Sequence, residues 1–464
     1  MIKGLKKVLP FFLIANTINL SACNNINNLP TRVNNIAIEQ NANKNLLVRF
    51  NPEVTQNQIK AFKANIDVSS FEIISDSLNM VEMKVNNEAG FEKLKKACQN
   101  SNLIKYAEED GKLTLFPYQA FPVNSGFSVK SGGAIPNDQF YGFQWNATSI
   151  DADKVWSITT GTPGITVAVI DSGVDPDHPD LKDNLLPLID ILNEDGEDDL
   201  YRTGGTEINY GGRDGNGHGT HVTGVVGAMI NNAKGVAGIA GNVKILPIKA
   251  ANHEGSTSAS IITKSILKAI EKGVKVINLS IGGPKSEGTQ ALKDTVELAI
   301  NKGIVFISAT GNESNRFTNF VEEVTVPAAY PGVIAVAAFT KFNKVANYSN
   351  GGPEVEIAAP GGAGRSGEGE KIYSTWPTYK TYEGYRAGII GPYAYLSGTS
   401  MACPHVSAAA ALLLSKEPKL TAQQVRVRLL STAIDIDAKG FDTSTGYGKL
   451  NIYKAMMANT HDKK

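Results

Sequence analysis

A three-layer α/β fold, a parallel sheet covered by helices on both faces, is the architecture this sequence predicts, preceded by a small α+β unit. Three observations predict it. Past Pro136, short apolar runs alternate with longer stretches of helical spacing, the order that builds crossover-connected parallel strands. Those runs are apolar at most positions rather than at every second one, as strands buried on both faces tend to be. Ahead of them lies a separate β-α-β-β-α-β order of the ferredoxin-like kind.

In chain order the predicted sheet strands are residues 165–170, 243–248, 274–279, 304–308 and 333–338. Helical spacing marks 221–229, 258–272, 290–301, 400–415 and 421–432. In the small unit, 46–50, 71–74, 80–85 and 104–107 read as strands, and 55–64 and 88–98 as helices. The chain accordingly divides into a signal segment 1–22, an Asn-rich tether 23–44, the small domain 45–115, a Pro/Gly/Ser-rich linker 116–135 and a large domain 136–464.

Composition narrows the function. The 464 residues carry 45 Lys+Arg against 45 Asp+Glu and are 42% hydrophobic, which excludes wholesale disorder and gives no basic excess for nucleic acid. Cys23, Cys98 and Cys403 are too few and too scattered for a disulfide framework or a zinc cluster. The N-terminus has Lys3, Lys6 and Lys7, then an apolar run over residues 8–20, the pattern of an export signal. That run is too short to span a bilayer. Leu20-Ser21-Ala22-Cys23 resembles a bacterial lipobox, which implies cleavage before Cys23 and lipid on it. The expectation is a membrane-anchored lipoprotein precursor at the bacterial cell envelope.

Three strings sit at the ends of predicted elements. Ala168-Val169-Ile170-Asp171-Ser172-Gly173 puts an acid after a strand; Gly215-Asn216-Gly217-His218-Gly219-Thr220-His221 and Gly398-Thr399-Ser400-Met401-Ala402 put a His and a Ser at helix starts. The carboxyl ends of strands are where open α/β sheets gather such groups. A serine hydroxyl becomes a useful nucleophile only when an imidazole takes its proton, and the imidazole needs an acid to fix its tautomer. Asp171, His218 and Ser400 supply the three types, and the flanking glycines let a main chain approach closely.

In these strings, and in the chain order Asp, His, Ser, residues from about Pro136 to Lys454 resemble the subtilisin-like serine protease (subtilase) family. The matching strings extend to His178-Pro179-Asp180-Leu181 and to Cys403-Pro404-His405-Val406. The resemblance implies a serine endopeptidase forming an acyl-enzyme on Ser400. It makes the oxyanion donor Asn312, in Ala309-Thr310-Gly311-Asn312, alongside the Ser400 N–H. It places substrate against Ser280, Ile281 and Gly282 on one wall, Gly255 and Ser256 on the other, and Thr310, with residues 325–328 as the pocket floor. It further implies structural calcium at Asp138, Asp180, Ile230, Asn232, Lys234 and Val236, whose carboxylate, amide and carbonyl oxygens suit a hard cation. The small domain resembles the family's inhibitory propeptide, so the chain would be an intramolecularly inhibited zymogen cut within 116–135, acting on polypeptides and monomeric.

The remaining residues read more plainly. His221 follows His218 without the His-Glu-x-x-His pattern of zinc proteases, and His178, His405 and Cys403 read as packing residues. His253 and the acidic run 194–199 read as solvated, and an aromatic stretch within 361–395 borders either the leaving-group side or only itself. A rival function shares the fold: a catalytically silent surface lipoprotein used for binding or adhesion.

Overall fold

The β-branched run Thr166–Asp171 forms an inner strand of a seven-stranded parallel sheet in the computed structural model, which describes residues 44–122, 135–194, 199–203, 206–364 and 370–458. Cys23 and the signal segment lie outside the described residues. Across the sheet the strands run Ile357–Pro360, Ile334–Phe339, Val305–Ala309, Val276–Leu279, Thr166–Asp171, Lys244–Lys249 and Ile189–Asp190. Strand order reverses on either side of Thr166–Asp171, so Asp171 emerges at a switch point, where a crevice opens at the carboxyl ends.

Side chains alternate across each strand, and this divides the interior into two cores. Val167 and Val169 face one core with residues of the helices His218–Gly227 and Thr399–Lys416. Ala168 and Ile170 face the other, with Ala259–Glu271 and Gln290–Asn301. The helix Thr399–Lys416 is buried along almost its whole length, and its sequence is apolar all round, as an interior helix must be. Each fully buried leucine there, such as Leu412 or Leu413, contributes about 2 kcal/mol by leaving water.

The small domain forms an antiparallel sheet in the order Ser70–Ser75, Met80–Val85, Lys44–Phe50, Ile104–Glu109. Its helices Gln56–Ala64 and Glu88–Gln99 are capped by Thr55, in a capping box with Gln58, and by Asn87. Their apolar faces close a core of Leu46, Val48, Phe50, Ile59, Met83, Phe91, Leu94 and Cys98.

The small domain docks through its carboxylates onto the N-termini of two large-domain helices. Glu108 accepts the Gln290 and Ala291 N–H groups at 2.9 and 2.7 Å, and Asp110 accepts those of Ser260, N–H at 2.8 Å and hydroxyl at 2.6 Å. An acid there meets the orphan donors and the positive end of the dipole. Around them, Asp294 takes Arg49 and the Tyr106 hydroxyl, and Lys264 bridges Glu72 and Glu82.

Several strands were not among those predicted. Ile357–Pro360 adds an edge to the sheet, and Ile372–Thr375 pairs with Tyr393–Ser397 as a hairpin around the aromatic stretch. Lys112–Leu115 and Gln119–Phe121 also form strands, the second inside the segment read as a linker.

Removing the Glu108 cap costs about 1 kcal/mol. In a full-length Ser400→Ala chain, Glu108→Ala is expected to speed amide exchange across residues 44–109 about fivefold, leaving Thr166–Asp171 unchanged; equal acceleration in both would count against a docking role.

Candidate active site

Asp171 is fully buried at the end of its strand and its Oδ1 lies 2.7 Å from His218 Nδ1. The same oxygen accepts the Ser172 N–H at 2.8 Å and the Ser172 hydroxyl at 3.3 Å. A buried carboxylate needs such donors, and here they fix it against the imidazole.

His218 opens its helix because the preceding loop is held by a second buried carboxylate. Asp214 accepts the N–H groups of Asn216, Gly217 and Thr220 at 3.1, 2.8 and 2.8 Å, the Thr220 hydroxyl at 2.7 Å and the Ser172 hydroxyl at 2.8 Å. Gly217 has φ +109°, and a Cβ there would lie 2.2 Å from the Trp376 ring. Sequence reasoning gave Asp214 no role; an Asp four residues before a His that starts a helix was the available signal.

Ser400 is the second residue of its helix, and its hydroxyl donates to Ser280 O at 3.3 Å, while the Ser280 hydroxyl returns a bond to Ser400 O at 3.0 Å. His218 Nε2 has no hydrogen-bond partner among the described residues. Asn312 stands beside the serine helix. Its Oδ1 accepts both the N–H and the hydroxyl of Thr399 at 2.8 Å, which turns its Nδ2 toward the cleft. That amide donates to Pro117 O at 2.8 Å.

The chain itself runs through the cleft. Lys112–Leu115 lies antiparallel between Ser256–Ser258 and Ile281–Gly282, with Thr114 opposite both Ser256 and Gly282, and the Leu115 N–H donates to Gly255 O at 2.8 Å. Gly255 has φ +86°. Phe116 is buried over Gly282, where a Cβ would meet its ring at 2.6 Å. Past Asn312, the Tyr118 ring lies against His218 with centroids 4.9 Å apart, and Gln119–Phe121 pairs with Tyr393–Ser397. The insertion carrying the short helix Tyr382–Ala387 borders this side: the Tyr382 N–H donates to Gly215 O at 2.9 Å and Trp376 underlies Gly217.

Thr310 stands apart from the other cleft residues. It is fully buried, its carbonyl accepts Thr325 N–H at 3.1 Å, and its side chain meets no donor or acceptor, so it supports the wall from behind. His221 donates toward the Ile372 and Ala394 carbonyls, and burial pushes its pKa down to about 3. His405, between Asn146 and Met401 O, is pushed down to about 4 for the same reason. Burial raises the Cys98 and Cys403 thiols to about 12, too high for reactive thiolates. His253, read as solvated, instead bonds Asp199 through Nδ1 at 2.6 Å, and Asp199 is buried against Lys249 at 2.8 Å.

At the other end of the His218 helix, Asp180 and Asp138 are buried together. Asp180 meets Val236 N–H and the Asn232 amide at 2.8 and 2.6 Å; Asp138 accepts the Asn231 and Asn232 N–H groups at 2.9 and 3.2 Å. Neither has a cationic side-chain partner among the described residues, and burial raises Asp180 to about 6.

The sequence pattern described as the subtilase family matches residues 162–448. A thermophilic serine proteinase of Bacillus sp. (strain AK1) is 33% identical over 413 residues, covering 89% of this chain and 86% of that protein. Thermitase of Thermoactinomyces vulgaris is 34% identical over 323 residues, 69% of this chain and 99% of that one. Among solved structures, fervidolysin from Fervidobacterium pennivorans, described as a keratinolytic enzyme related to subtilisin, superposes with a TM-score of 0.72 at 26% identity. The match covers 91% of this chain and 62% of that one.

Gly217→Ala is expected to lower the thermal midpoint by far more than Gly273→Ala. Both have positive φ, but the Gly273 site is open whereas Gly217 abuts the Trp376 ring. Equal shifts would locate the cost in the backbone alone.

Proposed function

The chain belongs to the subtilase family and is a subtilisin-like serine endopeptidase, and on that footing we propose that it works through Asp171, His218 and Ser400 and is made as a zymogen that cuts itself. One observation carries the reading: the Asn312 amide, oriented by Thr399, donates to a carbonyl of the chain lying in the cleft, beside the buried Asp171–His218 pair.

The mechanism follows from these groups. The Ser400 hydroxyl leaves Ser280 O for His218 Nε2, which takes its proton as Oγ attacks the carbonyl carbon. Asp171 holds the tautomer with the proton on Nδ1 and stabilises the imidazolium that results. Charge developing on the carbonyl oxygen is met by the Asn312 amide, already aimed and needing no reorganisation. The imidazolium then protonates the leaving amine, the acyl-enzyme forms, and water reverses the sequence. Substrates bind as an added strand between Ser256–Ser258 and Ile281–Gly282, as Lys112–Leu115 does.

The same strand makes the small domain an inhibitor, because it fills the cleft while the carboxylate caps hold its body in place. Lipid on Cys23 would anchor the precursor from the small-domain side of the crossing. Cutting the chain in the cleft would leave the anchor with the small domain and free the catalytic domain from the cell envelope.

Calcium suits the Asp138–Asp180 site, two buried carboxylates that Asn232 bridges through its side-chain NH₂ and its backbone N–H and that have no cationic side-chain partner among the described residues; Ile230, Asn232, Lys234 and Val236 would turn oxygens to the ion. When bound, the ion would supply charge that offsets their burial and tie Asp138, near the start of the large domain, to the loop after the His218 helix. Residues 230–236 and both carboxylates would hold it.

Three outcomes test these readings. Ser400→Ala is expected to accumulate uncut with both domains in the membrane fraction, whereas in the wild type only the small domain stays there; normal trimming of the variant would exclude self-processing. In the mature enzyme Asn312→Ala should lower kcat by about 10²–10³, the range known for losing one oxyanion donor, with KM little moved. The calcium reading turns on Asp180, whose folded pKa of about 6 lies above its ordinary 3.8. The folded state therefore binds the proton more tightly than the unfolded chain, and calcium-free protein loses stability as pH rises from about 4 through 6. Calcium should raise the thermal midpoint strongly at pH 8 and little at pH 5, since protons compete with it. An equal gain at both, or none over chelator, would contradict the site.

A further inference from the structure

We propose that the leaving-group half of the cleft selects a tyrosine directly after the bond that is cut, with Asn216 recognising its hydroxyl. The inference rests on the reading of Asn312 as the oxyanion donor and deepens it. The residue after the carbonyl held by Asn312 is Tyr118, and its hydroxyl donates to Asn216 Oδ1 at 2.5 Å while its ring covers the imidazole of His218.

An amide side chain can present an oxygen or an NH₂, and the surroundings decide which. Asn216 Nδ2 donates to His253 O at 2.9 Å, so Oδ1 faces the cleft, where the His218 N–H also meets it at 3.3 Å. His253 is held in turn: its N–H donates to Asp199 Oδ1 at 2.9 Å, its Nδ1 bonds the same oxygen, and its ring packs on Tyr382 of the insertion with centroids 5.3 Å apart. Asp199 is fixed by the buried ammonium of Lys249. A buried ion pair that hydrolysis does not use thus secures one carbonyl, and that carbonyl orients one amide.

The consequence is selectivity for a donor. A tyrosine hydroxyl satisfies the fixed oxygen; a phenylalanine fills the same space and leaves it only the long His218 N–H contact; an alanine also leaves the imidazole face uncovered. Sites that hydrogen-bond a substrate hydroxyl discriminate against its deoxy analogue, and in a half-open cleft one such bond corresponds to about tenfold.

The test uses the mature enzyme and quenched fluorescent peptides that differ only at the residue after the cut bond: Tyr, Phe or Ala. The expected kcat/KM for Tyr exceeds that for Phe by about tenfold and that for Ala by more. In Asn216→Ala the Tyr-to-Phe ratio should fall to about one. Because the ratio is read within one variant, any general loss through the His218 N–H contact cancels. If that variant does not fold, the wild-type profile decides alone. Hydrolysis with equal rates for Tyr and Phe overturns the inference and leaves the endopeptidase reading standing. Hydrolysis of none of the peptides overturns both.

Discussion

The proposed catalytic centre depends on a single buried hydrogen bond, between Asp171 Oδ1 and His218 Nδ1. A carboxylate taken out of water is tolerated only where donors replace the lost hydration. That constraint explains the crowd of N–H and O–H groups around Asp171 and Asp214, and the glycines between them. In Gly215-Asn216-Gly217, where Gly217 takes φ +109°, the loop turns tightly enough to bring the Asn216 and Gly217 N–H groups onto Asp214, and the start of the helix adds that of Thr220. The sheet supplies the other half. Reversal of strand order at Thr166–Asp171 leaves a crevice that two helices, one bearing His218 and one bearing Ser400, enter with their N-termini.

The cleft is complete only with a strand in it. Ser256–Ser258 and Ile281–Gly282 are joined only through Lys112–Leu115, which lies between them and pairs with both. An unpaired strand edge is an invitation to an extended peptide. The chain's own segment takes that place, and on the far side of Asn312 the pairing of Gln119–Phe121 with Tyr393–Ser397 continues the same course. Clamping on both sides holds the Pro117 carbonyl at the Asn312 amide. In this arrangement Ser400 bonds Ser280 rather than the imidazole, a resting state rather than an attacking one.

What could be read from the sequence, and what could not, divides along physical lines. The helix Gln290–Asn301 announces itself through its apolar periodicity, whereas the strand Thr166–Asp171 and the helix Thr399–Lys416 do so as apolar runs whose length separates strand from helix. Asp171, His218 and Ser400 lie in long specific strings, and Asp171 meets His218 because its strand ends where the helix of His218 begins. The segment 112–121 was illegible because its partners are remote, Thr114 pairing with Ser256 and Gly282 and Gln119 with Ser397, and because residues 116–121 lead into the Pro-, Gly- and Ser-rich run that reads as a linker. Asp199 and His253 looked solvated in a run of acids, yet Lys249 draws Asp199 into the interior; no local pattern records an ion pair between residues so far apart. Thr310, just past its strand, belongs to the same string as Asn312 but is buried with its hydroxyl unpartnered among the described residues.

The central claim is that the chain is its own first substrate, held with the Pro117 carbonyl at Asn312. Intact-mass measurement of the fragments released when the purified full-length protein matures alone tests it most directly. The account predicts a catalytic fragment whose first residue is Tyr118, absent from the Ser400→Ala protein. A fragment starting well outside residues 116–119, or the same fragment from the variant, would contradict it.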